Sequence, residues 1–446
     1  MDDRGGSIPG NVFPRRLDKP LPQAVGAEGL WIVDSEGKRC LDASGGPILV
    51  NIGHGREEIA RAVYDQICRC DYVHPTMFTN PAVEGLASAL AAHAPKGIER
   101  FYFLSGGGEA VETAIKLARQ IHLENGRPQR IRLIARWKSY HGVTLGALAA
   151  TGRTTFRAPF APMLTQVDHI PAPYCLRCSY GLTHPACGLR CALALEETIQ
   201  NLGPETVSAF LAETVSGATI AAVLPPPGYL AKIREICDRY GVLLILDEVL
   251  CGFGRTGRWF ACERYDVVPD IVTMGKGLGG GAAAISAVGV QSAHFEAIRS
   301  GGGAFVHGGT FSHHNVACAA ALATVRIMER EGLVERVAKA GPILGEKLRT
   351  AFQKHPNVAD IRGVGFLWGI EFVREKGSLR PFPRSEKFCE RLWQNVFKRG
   401  VILYKSTALA GIDGDALLVG PPFTMEEDQM DQVVAALAGG LEETLA

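Results

Sequence analysis

Residues 242–248 read VLLILDE, and residues 269–281 read PDIVTMGKGLGGG. The run Val242–Leu246 is apolar without a break, the pattern of a strand buried on both faces of a parallel sheet. An ionisable pair, Asp247 and Glu248, stands at its end. A buried carboxylate is costly unless a positive group answers it, so Asp247 calls for a partner. A helix N-cap or a structural ion pair would meet that need, and so would a bound cationic ring. Lys276 follows Asp247 by 29 residues and has glycine on both sides. Glycine costs an exposed helix about 1 kcal/mol, but it suits backbone passing close to a bound cofactor. In a dry pocket such a lysine loses basicity and becomes a nucleophile; in a loop it is an ordinary solvated charge.

Outward from these two strings the same rhythm continues. Short apolar runs at Arg100–Leu104, Ile131–Ala135, Val207–Ala212, Val242–Leu246 and Ile271–Met274 alternate with helical segments between residues 57 and 334. That alternation predicts a mainly parallel sheet covered by helices. Four of the runs lead straight into polar groups: Ser105 with Gly106–Gly108, Glu213, Asp247, and Gly275-Lys276. Open α/β sheets bind ligands at the carboxyl ends of their strands, so these groups are expected to share one crevice. Residues 28–42 predict a hairpin turning at Asp34–Gly37, and a strand at Phe366–Phe372 lies among helical stretches after 335. The expected division is an N-terminal segment 1–56 joining the smaller domain, a large ligand-binding domain 57–334, and a small α+β domain 335–446.

Gly106–Gly108 are followed by a helix whose Val111, Ala114, Ile115 and Ala118 share a face. Strand, glycine loop and helix start together make a phosphate cradle, or a plain tight turn. No Gly-Lys-Ser/Thr follows, so the loop is not a P-loop, and the dinucleotide spacing is missing too.

The 446 residues carry 47 basic and 46 acidic side chains, a net charge of +1. No basic stripe or acidic tail points to nucleic acid or a membrane surface. The first residues, MDDRGGSIPG, resemble no signal or transit peptide, and no apolar run reaches about 18 residues. The expected location is the cytoplasm. Hydrophobic residues at 47% and 52 glycines fit a well-packed α/β enzyme.

Taken in order, VLLILDEVLCGFGRTGRWFA, PDIVTMGKGLGGG, LSGGGEAVETAIKLAR, the segment Ser139–Gly142, AETVSGA, HGGTFSHHNVACAAALA and RGVGFLWGIEF resemble the class III aminotransferases. These are fold-type I enzymes of the aspartate aminotransferase-like architecture that use pyridoxal 5'-phosphate (PLP). The resemblance implies an α/β large domain with a mainly parallel seven-stranded sheet plus a smaller α+β domain. It implies that Lys276 is the Schiff-base lysine and proton shuttle, that Asp247 pairs with the pyridinium nitrogen, and that Val249 and Tyr140 pack on the ring's two faces. Gly107 and Gly108 would hold the phosphate, and Thr310 would reach it from the second subunit of a homodimer with shared active sites. Glu213 matches an acidic residue that in relatives pairs with a mobile arginine. Two departures stand out: Gly108 replaces a hydroxyl residue, and Leu418 replaces the arginine that many relatives carry three residues before Pro421-Pro422. The expected reaction moves an amino group from a primary amine or ω-amino acid to a 2-oxo acid such as pyruvate, by ping-pong chemistry. A PLP-dependent racemase or aminomutase is the alternative, and a binding protein without catalysis is a third reading. By family position Ile48, Tyr72 and Phe78 are candidate pocket residues, or equally core or interface ones.

Cys175, Cys178, Cys187 and Cys191 form C-x2-C-x8-C-x3-C. Four thiolates with this spacing could hold a structural zinc or an iron–sulfur cluster, or they could be free thiols in a surface loop. The remaining eight cysteines are expected in the core.

Overall fold

The computed structural model describes residues 10–15, 17 and 20–446; the opening residues 1–9, read above for an address, lie outside them. Its central feature is a seven-stranded sheet. In spatial order the strands are Ile98–Leu104, Ser286–Gln291, Ile271–Met274, Leu243–Asp247, Val207–Glu213, Arg132–Arg136 and Asp168–Ile170. All run parallel except Ser286–Gln291, which pairs antiparallel with both of its neighbours. Each of the five strands expected from the sequence is present within two residues at either end.

Alternation along these strands explains why they read as unbroken apolar runs. Phe210, Ala212, Leu244, Leu246, Val272 and Met274 face one core, while Ala209, Leu211, Leu243, Ile245 and Ile271 face another. The helix Gly107–Glu124 covers the second face with Val111, Ala114 and Leu117. Both faces are therefore dry, and a polar strand residue would have no solvated side to occupy. No described helix is long and apolar enough to cross a membrane.

A four-stranded antiparallel sheet follows, in the order Val358–Val364, Leu367–Phe372, Asp413–Val419, Tyr404–Ala410. Three of its strands were not foreseen. The N-terminal strands Ala24–Glu28, Trp31–Asp34 and Arg39–Asp42 form a further sheet, and Arg39–Asp42 pairs in parallel with Val401–Ile402. The expected turn joins Trp31–Asp34 to Arg39–Asp42, with Asp34 Oδ1 accepting from the N–H groups of Glu36 and Lys38. Residues 39–42 and 401–402, far apart in sequence, are thus tied by backbone hydrogen bonds.

The cysteine segment is where expectation and structure part. Among the described residues no group of three or more His, Cys, Asp or Glu side chains is placed to hold a metal ion. The zinc or iron–sulfur site expected at Cys175, Cys178, Cys187 and Cys191 is therefore not supported. All four are free thiols, Cys175 exposed and the others half-buried. Burial pushes the Cys191 thiol up to about 11, away from the thiolate a metal needs. A buried carboxylate secures the segment instead. Glu371, fully buried on the strand Leu367–Phe372, accepts from Arg177 Nε at 2.7 Å and from the Tyr174 hydroxyl. It also pairs with Arg362 Nη1 at 2.8 Å. Desolvation alone would raise the Glu371 carboxyl; Arg362, Tyr174 and Arg177 outweigh it and hold the carboxyl low. Its contribution to stability is thus present above the ordinary carboxylate range and lost as pH falls through the depressed value. Glu371→Gln is expected to destabilise the fold by about 3 kcal/mol, since it takes the carboxylate from Arg177 and one of two carboxylates from Arg362. Limited proteolysis should then cut faster between residues 173 and 191; an unchanged cleavage rate and unfolding midpoint would refute this account. Of the other eight cysteines, six are buried, while Cys68 is exposed and Cys70 half-buried.

Candidate active site

Register brings the chemistry together. Glu213 is the ladder partner of Asp247, and Asp247 of Thr273, at the carboxyl edge of the large sheet. The antiparallel strand closes the row, since Ser286 lies opposite Leu104 and its Oγ donates to Gly106 O at 2.8 Å. A cavity of about 400 Å³ opens there, lined among others by Gly107, Gly108, Tyr140, Glu213, Asp247 and Lys276. That volume suits a small cofactor with part of a substrate. A wider surface groove beside Phe78, Glu84 and Arg100 contains none of these groups.

Asp247 is held on three sides. Its Oδ1 accepts from Val249 N at 3.0 Å and Thr273 Oγ1 at 3.1 Å, and its Oδ2 lies 2.8 Å from His141 Nδ1. Both side chains are buried. The neighbouring Glu248 does not line the cavity. Thr214 Oγ1 donates to it at 2.6 Å, and the N–H groups of Ala261 and Cys262 at 2.8 and 2.9 Å. Burial pushes its carboxyl up to about 7, and these donors only partly offset that. The acidic pair is thus split: Asp247 faces the cavity and Glu248 fixes a turn.

Lys276 opens a short 3₁₀ turn, with φ at 45°, and is partly exposed to the cavity. Desolvation lowers its amine to about 8; Asp247 and Glu213 oppose the shift, and Arg255 adds to it. A lowered amine is uncharged more often near neutrality, so its nucleophilic form is populated. In the cofactor-free protein, reductive methylation of Lys276 by formaldehyde should rise through about pH 8 and then level off. Peptide mass spectrometry reads this directly, and a rate still climbing near pH 10 would contradict the lowered amine. Gly277 sits in a tight place, where a Cβ would meet Asn51 Nδ2 and Phe253 Cβ at 3.0 Å.

At the cavity's other end the helix Gly107–Glu124 begins, its first N–H groups without intrahelical partners. Glu109 Oε2 reaches back to the N–H groups of Ser105 and Gly106, at 2.9 and 3.1 Å. A Cβ on Gly107 would meet Val249 Cγ1 at 3.0 Å, and one on Gly142 would meet Gly108 Cα at 2.9 Å. The backbone contact and the φ of 135° require glycine at position 142, and the close backbone around it fits a phosphate group. Val249 thus packs beside the glycine loop, and Tyr140 lines the cavity with its ring edge-on to Phe156 at 6.1 Å.

Glu213 is anchored by the backbone around it. Its Oε1 accepts from Tyr140 N at 3.0 Å and its Oε2 from Gly217 N at 2.9 Å, so both oxygens are occupied by backbone. Burial pushes the carboxyl up, with His141 acting against the shift. Thr310 is exposed, between the helices Ser292–Ser300 and Asn315–Arg330, and does not line the cavity of its own chain. Ile48 is core, packed with Leu418, whereas Tyr72 and Phe78 are exposed and outside the cavity. Lining residues not singled out from the sequence include His141, which pairs with Asp247, and Thr144, whose Cγ2 would lie 3.4 Å from a Cβ on Gly108. The segment Ser139–Gly142 was the available signal for the first; nothing in the sequence marked the second.

The family model described as "Aminotransferase class-III" matches residues 12–441. A putrescine–pyruvate aminotransferase of Pseudomonas aeruginosa is 34% identical over 94% of this chain and 90% of its own length. Among solved structures, a thermostable (S)-enantioselective omega-transaminase from Thermomicrobium roseum superposes with a TM-score of 0.90 at 39% identity, covering 96% of this chain and 93% of its own. The omega-transaminase from Pseudomonas jessenii in complex with PMP gives 0.89 at 30% identity, covering 95% and 93%.

Proposed function

The chain belongs to the class-III aminotransferase family, and on that premise we propose that it moves an amino group from a primary amine or ω-amino acid to a 2-oxo acid, with pyruvate as acceptor, in two alternating half-reactions. The carrying observation is one cavity that joins a lysine amine lowered to about 8, a buried aspartate and a glycine-lined helix start. The cofactor is pyridoxal 5'-phosphate, which when bound supplies an aldehyde carbon for the amino group and a ring that takes up electron density.

This chain's residues then divide the work. Lys276 Nζ would hold the aldehyde carbon covalently and afterwards carry a proton between the two carbons that exchange it. Asp247 would keep the ring nitrogen protonated, and His141 holds Asp247 in place at 2.8 Å. Val249 and Tyr140 would enclose the ring, and the N–H groups of Gly107 and Gly108 would bind the phosphate. Glu213 positions Tyr140 through its backbone N–H. Thr310 of the partner subunit would complete the phosphate site in a homodimer, which accounts for its exposure here. We further infer a division of the chain near residues 56 and 334, and a cytoplasmic location.

The test is to supply PLP, a panel of primary amines and pyruvate, and to follow both products. Alanine should form in step with the amine consumed, and the visible band should bleach when amine is added alone. Inversion or isomerisation of an amino acid without alanine would favour a racemase or aminomutase, a reading that none of the named relatives supports.

A further inference from the structure

The cavity needs a cation for any substrate that carries a carboxylate, and the small antiparallel sheet does not provide one. Leu418 is fully buried in an apolar cluster with Ile48 and Leu409, against which Leu250 and Tyr404 pack. The Glu213 oxygens accept from Tyr140 N and Gly217 N, and among the described residues no arginine forms an ion pair with its carboxylate. The residue across the ladder from Leu418 is Tyr404. Tyr404 and Tyr140 are in turn the titratable groups that act most strongly on Arg153, with desolvation lowering its basicity overall. The Arg153 guanidinium reaches the small sheet at Thr407 and packs on Phe156, whose ring meets the cavity-lining Tyr140.

Its placement is rigid. Gly152 N donates to Ser139 O and to Ser139 Oγ, each at 3.1 Å, and Lys138 N donates to Gly152 O at 2.9 Å. His141 N donates to Thr151 Oγ1 at 2.8 Å. A side chain at position 152 would strike Arg136 O at 2.2 Å, so only glycine lets these strands of chain run so close. The segment carrying Arg153 is therefore stitched to the one carrying Tyr140 and His141. Beyond that, Arg153 Nη2 donates to Thr407 O at 3.2 Å, its Cζ lies 4.6 Å from the Phe156 ring centre, and Phe156 meets Tyr140 edge-on.

What this cation lacks is an anion. Among the described residues no carboxylate stands within ion-pair distance of Arg153, and its Nε is buried with no hydrogen-bond partner. A half-buried guanidinium with an idle N–H is unfavourable unless something charged completes it. We propose that Arg153 binds the carboxylate of the 2-oxo acid or ω-amino acid at the Tyr140 side of the cavity, and so sets specificity for acid-bearing substrates. The inference rests on the transfer reaction proposed above. Among the described residues Arg15 is a second cation that acts on Tyr140, and its side chain is exposed.

The test separates the two half-reactions of the PLP-loaded enzyme. Arg153→Gln should raise KM for pyruvate at least about tenfold, as loss of a charge-assisted bond does, while the half-reaction with an amine lacking a carboxylate stays within about twofold. Arg153→Lys should restore part of the loss. Calorimetry with propanoate, a non-reacting acid, should show the same weakening of binding. Unchanged pyruvate KM, an equal fall in both half-reactions, or a loss that follows Arg15→Gln instead would overturn the assignment. If the unaltered enzyme transfers no amino group at all, the transfer reaction fails, and the propanoate titration still decides for or against Arg153.

Discussion

Replacement of Lys276 by alanine is expected to lower kcat by about four orders of magnitude or more, with the fold intact. The lysine is asked to do two things, to anchor the cofactor and to carry a proton, and among the described residues no second amine lines the cavity to replace it. The fold should survive because the amine contributes no structural hydrogen bond, and its burial opposes the charged form. Removing it relieves a desolvation cost. The positive φ at this position is shared by lysine and alanine, so backbone strain is unchanged. Three measurements check the claim: single-turnover kinetics, the unfolding midpoint, and intact mass after borohydride treatment in the presence of PLP. The unaltered protein should gain the mass of one reduced cofactor and Lys276→Ala none. Retention of more than about a hundredth of kcat would remove the lysine from this role.

The second large effect belongs to Asp247→Asn, expected to lower kcat by about two to four orders of magnitude. The substitution keeps shape and removes charge. Val249 N and Thr273 Oγ1 can still donate to the remaining amide oxygen, so the strand end should hold its geometry. What changes is the atom facing His141 Nδ1, which becomes a donor instead of an anionic acceptor. The ring nitrogen of the cofactor then has no carboxylate to keep it protonated, and electron withdrawal from the substrate weakens. A shift of the cofactor's absorption band should accompany the loss of rate. Near-normal turnover with an unshifted band would show that Asp247 is structural, as Glu248 is.

The Lys276 and Asp247 predictions were open to a reader of the sequence; the Glu371 and Arg153 predictions were not. Val242–Leu246 followed by Asp247, and Ile271–Met274 followed by Gly275-Lys276, are local patterns in which an apolar run reports a strand and the next residue its chemical end. The helix after Gly106–Gly108 is local too, written in the spacing of Val111, Ala114 and Ala118. By contrast, Ser286–Gln291 escaped notice because SAVGVQ is short and flanked by small residues, with no period to separate it from a loop. The strands Tyr404–Ala410 and Asp413–Val419 are stabilised mainly by pairing with each other and with Leu367–Phe372, a tertiary context that propensity does not record.

The amino-acid sequence by itself determined which chemical groups stand at the strand ends and that a parallel sheet presents them on one edge, because periodicity and burial act within a few residues. Only the tertiary structure decided which distant groups meet. His141 reaches Asp247 across 106 residues, and Arg177 reaches Glu371 across 194. Arg153 is held by Thr407 across 254 residues and has no carboxylate partner among the described residues. Such pairings depend on sheet register and on which loops are stitched together, and a shift of one residue in register would exchange every partner.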